Sequence, residues 1–240
     1  MRRKAADAAA IVGLAALILL CRMASAHLRE GFGDREMARR TAAFADAGVK
    51  VVVDPGHGGI DSGKTGVNGS KEKEINLKIA IEIKNMLEKE GVSVVMTREG
   101  DERLAGTQRE DLRERAALMD REKPVLAVSI HQNSYQDEAV SGAQVFYHSG
   151  SGQGEAAARM IQDALNELQP DNTKKIRSND TYYILKNTEV PVVIAECGFL
   201  SNPEEAERLS RESWQREIAG AVAEGVMQYI RASDPEQEAG

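Results

Sequence analysis

From Val51 onward, short apolar runs alternate with segments whose apolar residues recur every three or four positions. Val51 to Val53 reads as a strand, and a glycine-rich stretch follows it. Glu74 to Glu90 carries Ile75, Ile79, Ile83, Met86 and Leu87 on one helical stripe, and Gly91 stands where a helix commonly ends. Val92 to Met96 predicts a second strand, and Arg109 to Arg121 a helix with Leu112, Ala116 and Met119 on one side. Val125 to Ile130 is apolar nearly throughout, as expected of a strand covered on both faces. Beyond it, the pattern predicts strands at Gln144 to His148, Tyr183 to Leu185 and Val192 to Ala195. Helices are predicted at Glu155 to Leu168, Pro203 to Leu209 and Trp214 to Arg231. Such alternation implies an α/β fold: one domain of three layers, with a mostly parallel central sheet flanked by helices.

The flanks differ in character. Arg2, Arg3 and Lys4 precede an apolar run from Ala8 to Leu20 and an Ala24-Ser25-Ala26 sequence. Residues 1–26 therefore read as a signal peptide or signal-anchor, which places the working domain outside the cytoplasm. Residues 27–47 are polar and mixed in charge, a spacer with helical character around Glu36 to Ala47. The domain itself is expected over 48–232, and 233–240 as a disordered acidic tail. The 240 residues carry a net charge of −7, more negative still without the basic leader. That excludes a nucleic-acid partner, which calls for a basic face. Membrane contact is expected only through an uncleaved leader. Of the two cysteines, Cys21 lies in the leader, so Cys197 would be a lone thiol in the processed chain.

In a parallel sheet with helices on both faces, ligands bind beyond the carboxyl ends of the strands. The first strand ends in Asp54-Pro55-Gly56-His57, the third in Ser129-Ile130-His131, and a late one in Ala195-Glu196-Cys197. Glu72 opens the first predicted helix. Two imidazoles and a carboxylate around an open position are a familiar catalytic zinc arrangement, with one glutamate left as base. Each residue also has a plainer reading. His57 and His131 could be satisfied by neighbours, Glu72 could simply favour a helix N-terminus, and His148 reads as a surface residue. Glu196 is harder to dismiss, because burying an ionised carboxylate after four apolar residues requires a cation or donors. Asp54 or Asp61 could orient His57, or either could stabilise the loop as an Asx turn. A Cys197 nucleophile is the weaker alternative to a small buried thiol.

Four blocks carry a family resemblance: Val53-Asp54-Pro55-Gly56-His57-Gly58-Gly59, Glu72-Lys73-Glu74-Ile75-Asn76-Leu77, Ser129-Ile130-His131-Gln132-Asn133, and Glu196-Cys197-Gly198-Phe199-Leu200-Ser201-Asn202. In this order and spacing the chain resembles the zinc-dependent N-acetylmuramoyl-L-alanine amidases of the amidase type 3 family over about 50–231. Thr97-Arg98, Asp101 and Pro191 are similar to the family pattern, and Glu74 replaces a commoner aspartate. The resemblance implies that His57, Glu72 and His131 hold one Zn²⁺ and that Glu196 is the catalytic carboxylate. It also implies the substrate, peptidoglycan, cut between N-acetylmuramic acid and L-alanine. A leader and a catalytic domain without an appended wall-binding module resemble the germination-specific amidases of the spore cortex. No insertion able to form an autoinhibitory helix is expected between His131 and Gly154, so an activator protein would supply any control. The alternatives are a zinc peptidase acting on the stem peptide and a non-catalytic wall-binding protein.

Overall fold

The computed structural model describes residues 41–233. The predicted leader, the spacer up to residue 40 and the tail from residue 234 lie outside the described residues. The sheet has six strands: β1 (Lys50–Pro55), β2 (Ser93–Met96), β3 (Leu126–Asn133), β4 (Gln144–Tyr147), β5 (Arg177–Ser178) and β6 (Val192–Phe199). Their order is β2-β1-β3-β6-β4-β5. β1 pairs in parallel with β2 and β3, and β3 with β6. β4 runs antiparallel to β6 and parallel to β5.

Alternation along the strands divides the core in two. Val51, Val53, Val128, Ile130, Val193 and Ala195 face one side, where they pack under α1 (Glu72–Lys89), α3 (Gly152–Leu168) and α6 (Glu212–Ala232). Val52, Ala127, Val192 and Ile194 face the other side. There they meet Met119 of α2 (Gln108–Glu122) and Ile184 and Leu185 of α4 (Tyr183–Lys186). A short helix, α5 (Pro203–Leu209), follows β6. A valine run is buried from both sides at once, which is why the inner strands read as continuous apolar stretches. α2 begins with a capping box in which Thr107 and Glu110 satisfy each other's backbone N–H groups. Residues 41–46 are helical, the part of the predicted spacer helix that falls within the described residues, and Phe44 packs into the larger core. Among the described residues no helix is long and apolar enough to cross a membrane.

Two expectations need correction. Tyr183 to Leu185 is helix, not strand. The Asn179 side-chain carbonyl accepts hydrogen bonds from the backbone of Thr181 and Tyr182 and from the Thr181 hydroxyl, which turns the chain into α4. A four-residue apolar run carries too little periodicity to reveal this. The pairing that does occur nearby is the two-residue β5, exposed and polar, which no hydrophobic pattern could mark. The inner strands are also longer than their apolar cores: β3 runs on through His131 to Asn133, and β6 through Glu196 to Phe199. His131 and Glu196 therefore lie within the sheet, paired in register, with a bulge immediately beyond them.

Candidate metal centre and active site

The loop after β1 is held open by buried charge. Asp54, fully buried, accepts hydrogen bonds from the Thr97 hydroxyl, the Ser129 hydroxyl and the Arg115 guanidinium. Burial alone would raise the Asp54 pKa, but the positive charge of Arg115 and the two hydroxyls bring it below its ordinary value. Arg115 is also bound by Asp111 at 2.8 Å. Its remaining N–H groups donate to the carbonyls of Pro55 (2.9 Å) and His57 (2.7 Å). Arg98 donates to the carbonyls of Pro55 and Gly56, both at 3.0 Å. Lys73 and Asp101 clasp the next turn at Gly59, through its carbonyl and its N–H respectively. Three successive carbonyls are thus fixed, and His57 is held at a φ of 63°, a left-handed conformation that a non-glycine residue adopts only under such constraint.

So held, the His57 ring reaches two carboxylates. Its Nδ1 lies 3.0 Å from Asp61, and its Nε2 lies 3.2 Å from Glu72 Oε1. Asp61 does both things proposed for it: it orients His57, and its other oxygen accepts the Gly63 N–H at 3.1 Å in an Asx-type turn. Asp54 does not touch the ring. Glu72, 2 % exposed, comes inward from the first turn of α1. Its Oε1 lies 2.9 Å from His131 Nδ1 and accepts the Gln132 N–H at 3.1 Å, while Oε2 accepts the Lys64 N–H at 2.8 Å. This closeness requires two glycines. A Cβ at Gly56 would enter the His131 ring, and one at Gly63 (φ +64°) would stand 2.5 Å from Glu72 Oε2 and 2.7 Å from His57 Cδ2.

His57, Glu72 and His131 each offer one ligand atom, all within 4.8 Å of one another. The electrostatics ask for a cation at this point. Burial disfavours a charged His57, yet its hydrogen bonds and attraction to Glu72 and Asp61 push its pKa up to about 9. Burial works against an ionised Glu72 too, and the two imidazoles nonetheless hold it far below the usual carboxylate range. Two imidazoles and one carboxylate, with Asp61 steadying one ring from behind, suit zinc by donor type and by orientation.

Glu196 is different. It is 7 % exposed and its Oε2 has no hydrogen-bond partner. Burial pushes its pKa up to about 7; the nearby histidines pull it down and Glu72 pushes it further up. It borders a cavity of about 150 Å³ together with His131, Leu112, Tyr182, Tyr183, Ile184 and Ile194. Larger concavities, about 380 Å³ beside Trp214 and about 350 Å³ beside Ser151, contain none of the four groups, so chemistry rather than volume marks the site. Cys197, next in the chain, points to the opposite face and is buried in the apolar core, which raises its pKa far out of reach of a thiolate. His148 pairs with Asp180 at 3.6 Å on a half-exposed edge, away from the cluster. No helix lies between His131 and Gly152.

A family model described as N-acetylmuramoyl-L-alanine amidase matches residues 51–228. The chain belongs to that family. The amidase is 35 % identical to the germination-specific N-acetylmuramoyl-L-alanine amidase of Bacillus subtilis, over 77 % of this chain and 81 % of that protein. It is 30 % identical to the amidase AmiA of Escherichia coli, over 77 % of each chain. Among solved structures, the CwlD amidase of Clostridioides difficile, in complex with the GerS lipoprotein, is 32 % identical with a TM-score of 0.74, covering 77 % of this chain and all of that one. The amidase acts on peptidoglycan, cleaving the amide between N-acetylmuramic acid and L-alanine.

Arg115 was not singled out by sequence. Its signal was an Asp111–Arg115 spacing on an otherwise charged helix, indistinguishable from a solvated pair until the fold buried it.

Proposed function

We infer that the amidase is a zinc enzyme in which His57, Glu72 and His131 hold the metal and Glu196 transfers the protons. When bound, zinc would supply Lewis acidity, polarising the scissile carbonyl and making water acidic near neutral pH. The residues of the chain do the rest. Asp61 keeps the His57 Nδ1–H engaged, so that Nε2 faces inward. Glu196, as carboxylate, takes one proton from the attacking water while the water oxygen bonds to the lactyl carbonyl carbon. It then returns that proton to the alanine nitrogen as the C–N bond breaks, leaving a free amine and a muramoyl carboxylic acid, whose remaining proton is lost to solvent as it ionises. The apolar surroundings of Glu196 bring its affinity for a proton close to neutrality, which suits a group that must both accept and donate.

The observation that carries this reading is the unpartnered oxygen of a buried glutamate, directly in register with one member of a cluster built to take a cation. Its test is metal content beside product analysis. About one zinc per chain is expected, lost in His57→Ala and His131→Ala, with stem peptides released carrying N-terminal alanine. Shortened stems, or full zinc in both variants, would overturn it.

The likeness to a germination-specific amidase, together with the export signal read from residues 1–26, supports work outside the cytoplasm on spore cortex peptidoglycan. The CwlD complex with a lipoprotein supports an activating partner of that kind for this chain. Spore cortex whose muramic acid keeps its stem peptides when the gene is deleted, and loses them again on complementation, is the result expected.

A further inference from the structure

We propose that the cavity walled by Leu112, Tyr182, Ile184 and Ile194, beside Glu196 and His131, receives the residue whose nitrogen leaves, and selects alanine there by size. This rests on the amidase reading with Glu196 as proton donor.

The placement follows from strand geometry. Ile194 and Glu196 are two apart on β6 and so share a face, the one that looks onto α2 and α4. A general acid must come within about 3 Å of the atom it protonates. The group that Glu196 protonates is the leaving nitrogen, whose own side chain is two bonds away. The space immediately beyond Glu196 is therefore within reach of the amine side of the scissile bond.

The wall is apolar and firmly held. Tyr182 stacks edge-on against Phe146, with ring centroids 5.6 Å apart. The turn before it is tied down by Asn179 and by Asp180, which accepts hydrogen bonds from the Ser149 backbone and hydroxyl. Ile184 and Ile194 are nearly inaccessible, and Leu112 is half-buried. Apart from the tyrosine hydroxyls, the only polar side chains lining the space are the two reactive ones. A pocket with one reactive edge and an apolar back suits a small aliphatic group and offers nothing to a charged one. The volume agrees. About 150 Å³ is small for a ligand pocket, as a short aliphatic group requires.

The test uses the full zinc-loaded chain and N-acetylmuramoyl peptides that differ only in their first residue: glycine, L-alanine or L-valine. The native enzyme should prefer alanine in kcat/KM by about tenfold or more over each. Leu112→Ala should raise valine relative to alanine about tenfold, and Leu112→Phe should depress alanine below glycine. Leu112 is half-buried, so both variants are expected to fold, and circular dichroism checks this. Calorimetric affinities of the released peptides, which need no turnover, should follow the same order. Unchanged ratios and affinities in both variants would overturn the pocket assignment. If the native chain cuts none of the three, turnover waits on the activating partner proposed above, and the calorimetric series, which needs no turnover, decides the pocket.

Discussion

Two walls of one cleft each bury a glutamate, and they treat it in opposite ways. On the side of the β1 loop and α1, Glu72 is surrounded by donors: two imidazoles, two backbone N–H groups and, behind them, a floor of buried arginines and Asp54. On the side of β6, α2 and α4, Glu196 has an oxygen with no partner and a wall of leucine, isoleucine and tyrosine rings. One carboxylate is kept ionised; the other is brought near the point where it can carry a proton. The same residue type serves two roles because solvation and neighbouring charge, not the side chain, set its proton affinity. The lesson extends beyond the pair: the polar wall is assembled from buried charges and long-range partners, whereas the apolar wall is packed side chains with its one turn pinned by Asn179 and Asp180.

The contrast can be broken most severely at Glu72. Glu72→Gln should abolish zinc binding and with it turnover, since an amide removes the charge that both histidines lean on; zinc retained at about one per chain would contradict its role. Glu196→Gln should separate the functions, with zinc kept and kcat lower by about 10²–10⁴-fold, as read from released alanine amines. A smaller effect is expected beneath the polar wall. Arg115→Met leaves Asp54 buried without its cation and should cost about 3–5 kcal/mol of stability in urea unfolding. Acid dependence should change with it. In the native chain the Asp54 pKa is depressed by folding, so its contribution is complete above the unfolded value of about 3.9 and lost as pH falls further. In Arg115→Met, burial without the cation raises it, so that contribution should instead be lost as pH rises; an unaltered pH slope would tell against the pair. The mildest change is Asp61→Asn, which keeps the Asx-type turn but weakens the hold on His57. Zinc affinity is expected to fall about 10–100-fold, measurable by competition with a chelator.

Much of this was legible in the sequence, and the pattern of success has physical causes. Inner strands such as β1 and β3 announce themselves because both faces are covered, and α1 because one face alone is. The four motif residues stand at or near strand ends and a helix start, and the fold brings them to one cleft. What failed was short or exposed. The Tyr183–Lys186 turn of helix was set by the Asn179 side chain rather than by its own apolar run, and β5 has no apolar residue at all. Strand lengths were underestimated because β3 and β6 continue through the polar residues to which the chemistry is assigned in the proposed mechanism. Arg115 was illegible for the reverse reason: a charged residue gives no sign that topology will bury it.

The carbonyls of Gly56 and Pro55 are claimed by arginines 42 and 60 residues later in the chain. No local fragment containing the glycine-rich loop can therefore hold His57 in place. The frame that would hold the metal requires β2 and α2 docked against β1, through contacts distant in sequence. Zinc would then act as a latch on a finished scaffold rather than as a nucleus for building it. A partly folded chain, outside the cell or within it, would carry every ligand and yet have no enzyme to switch on.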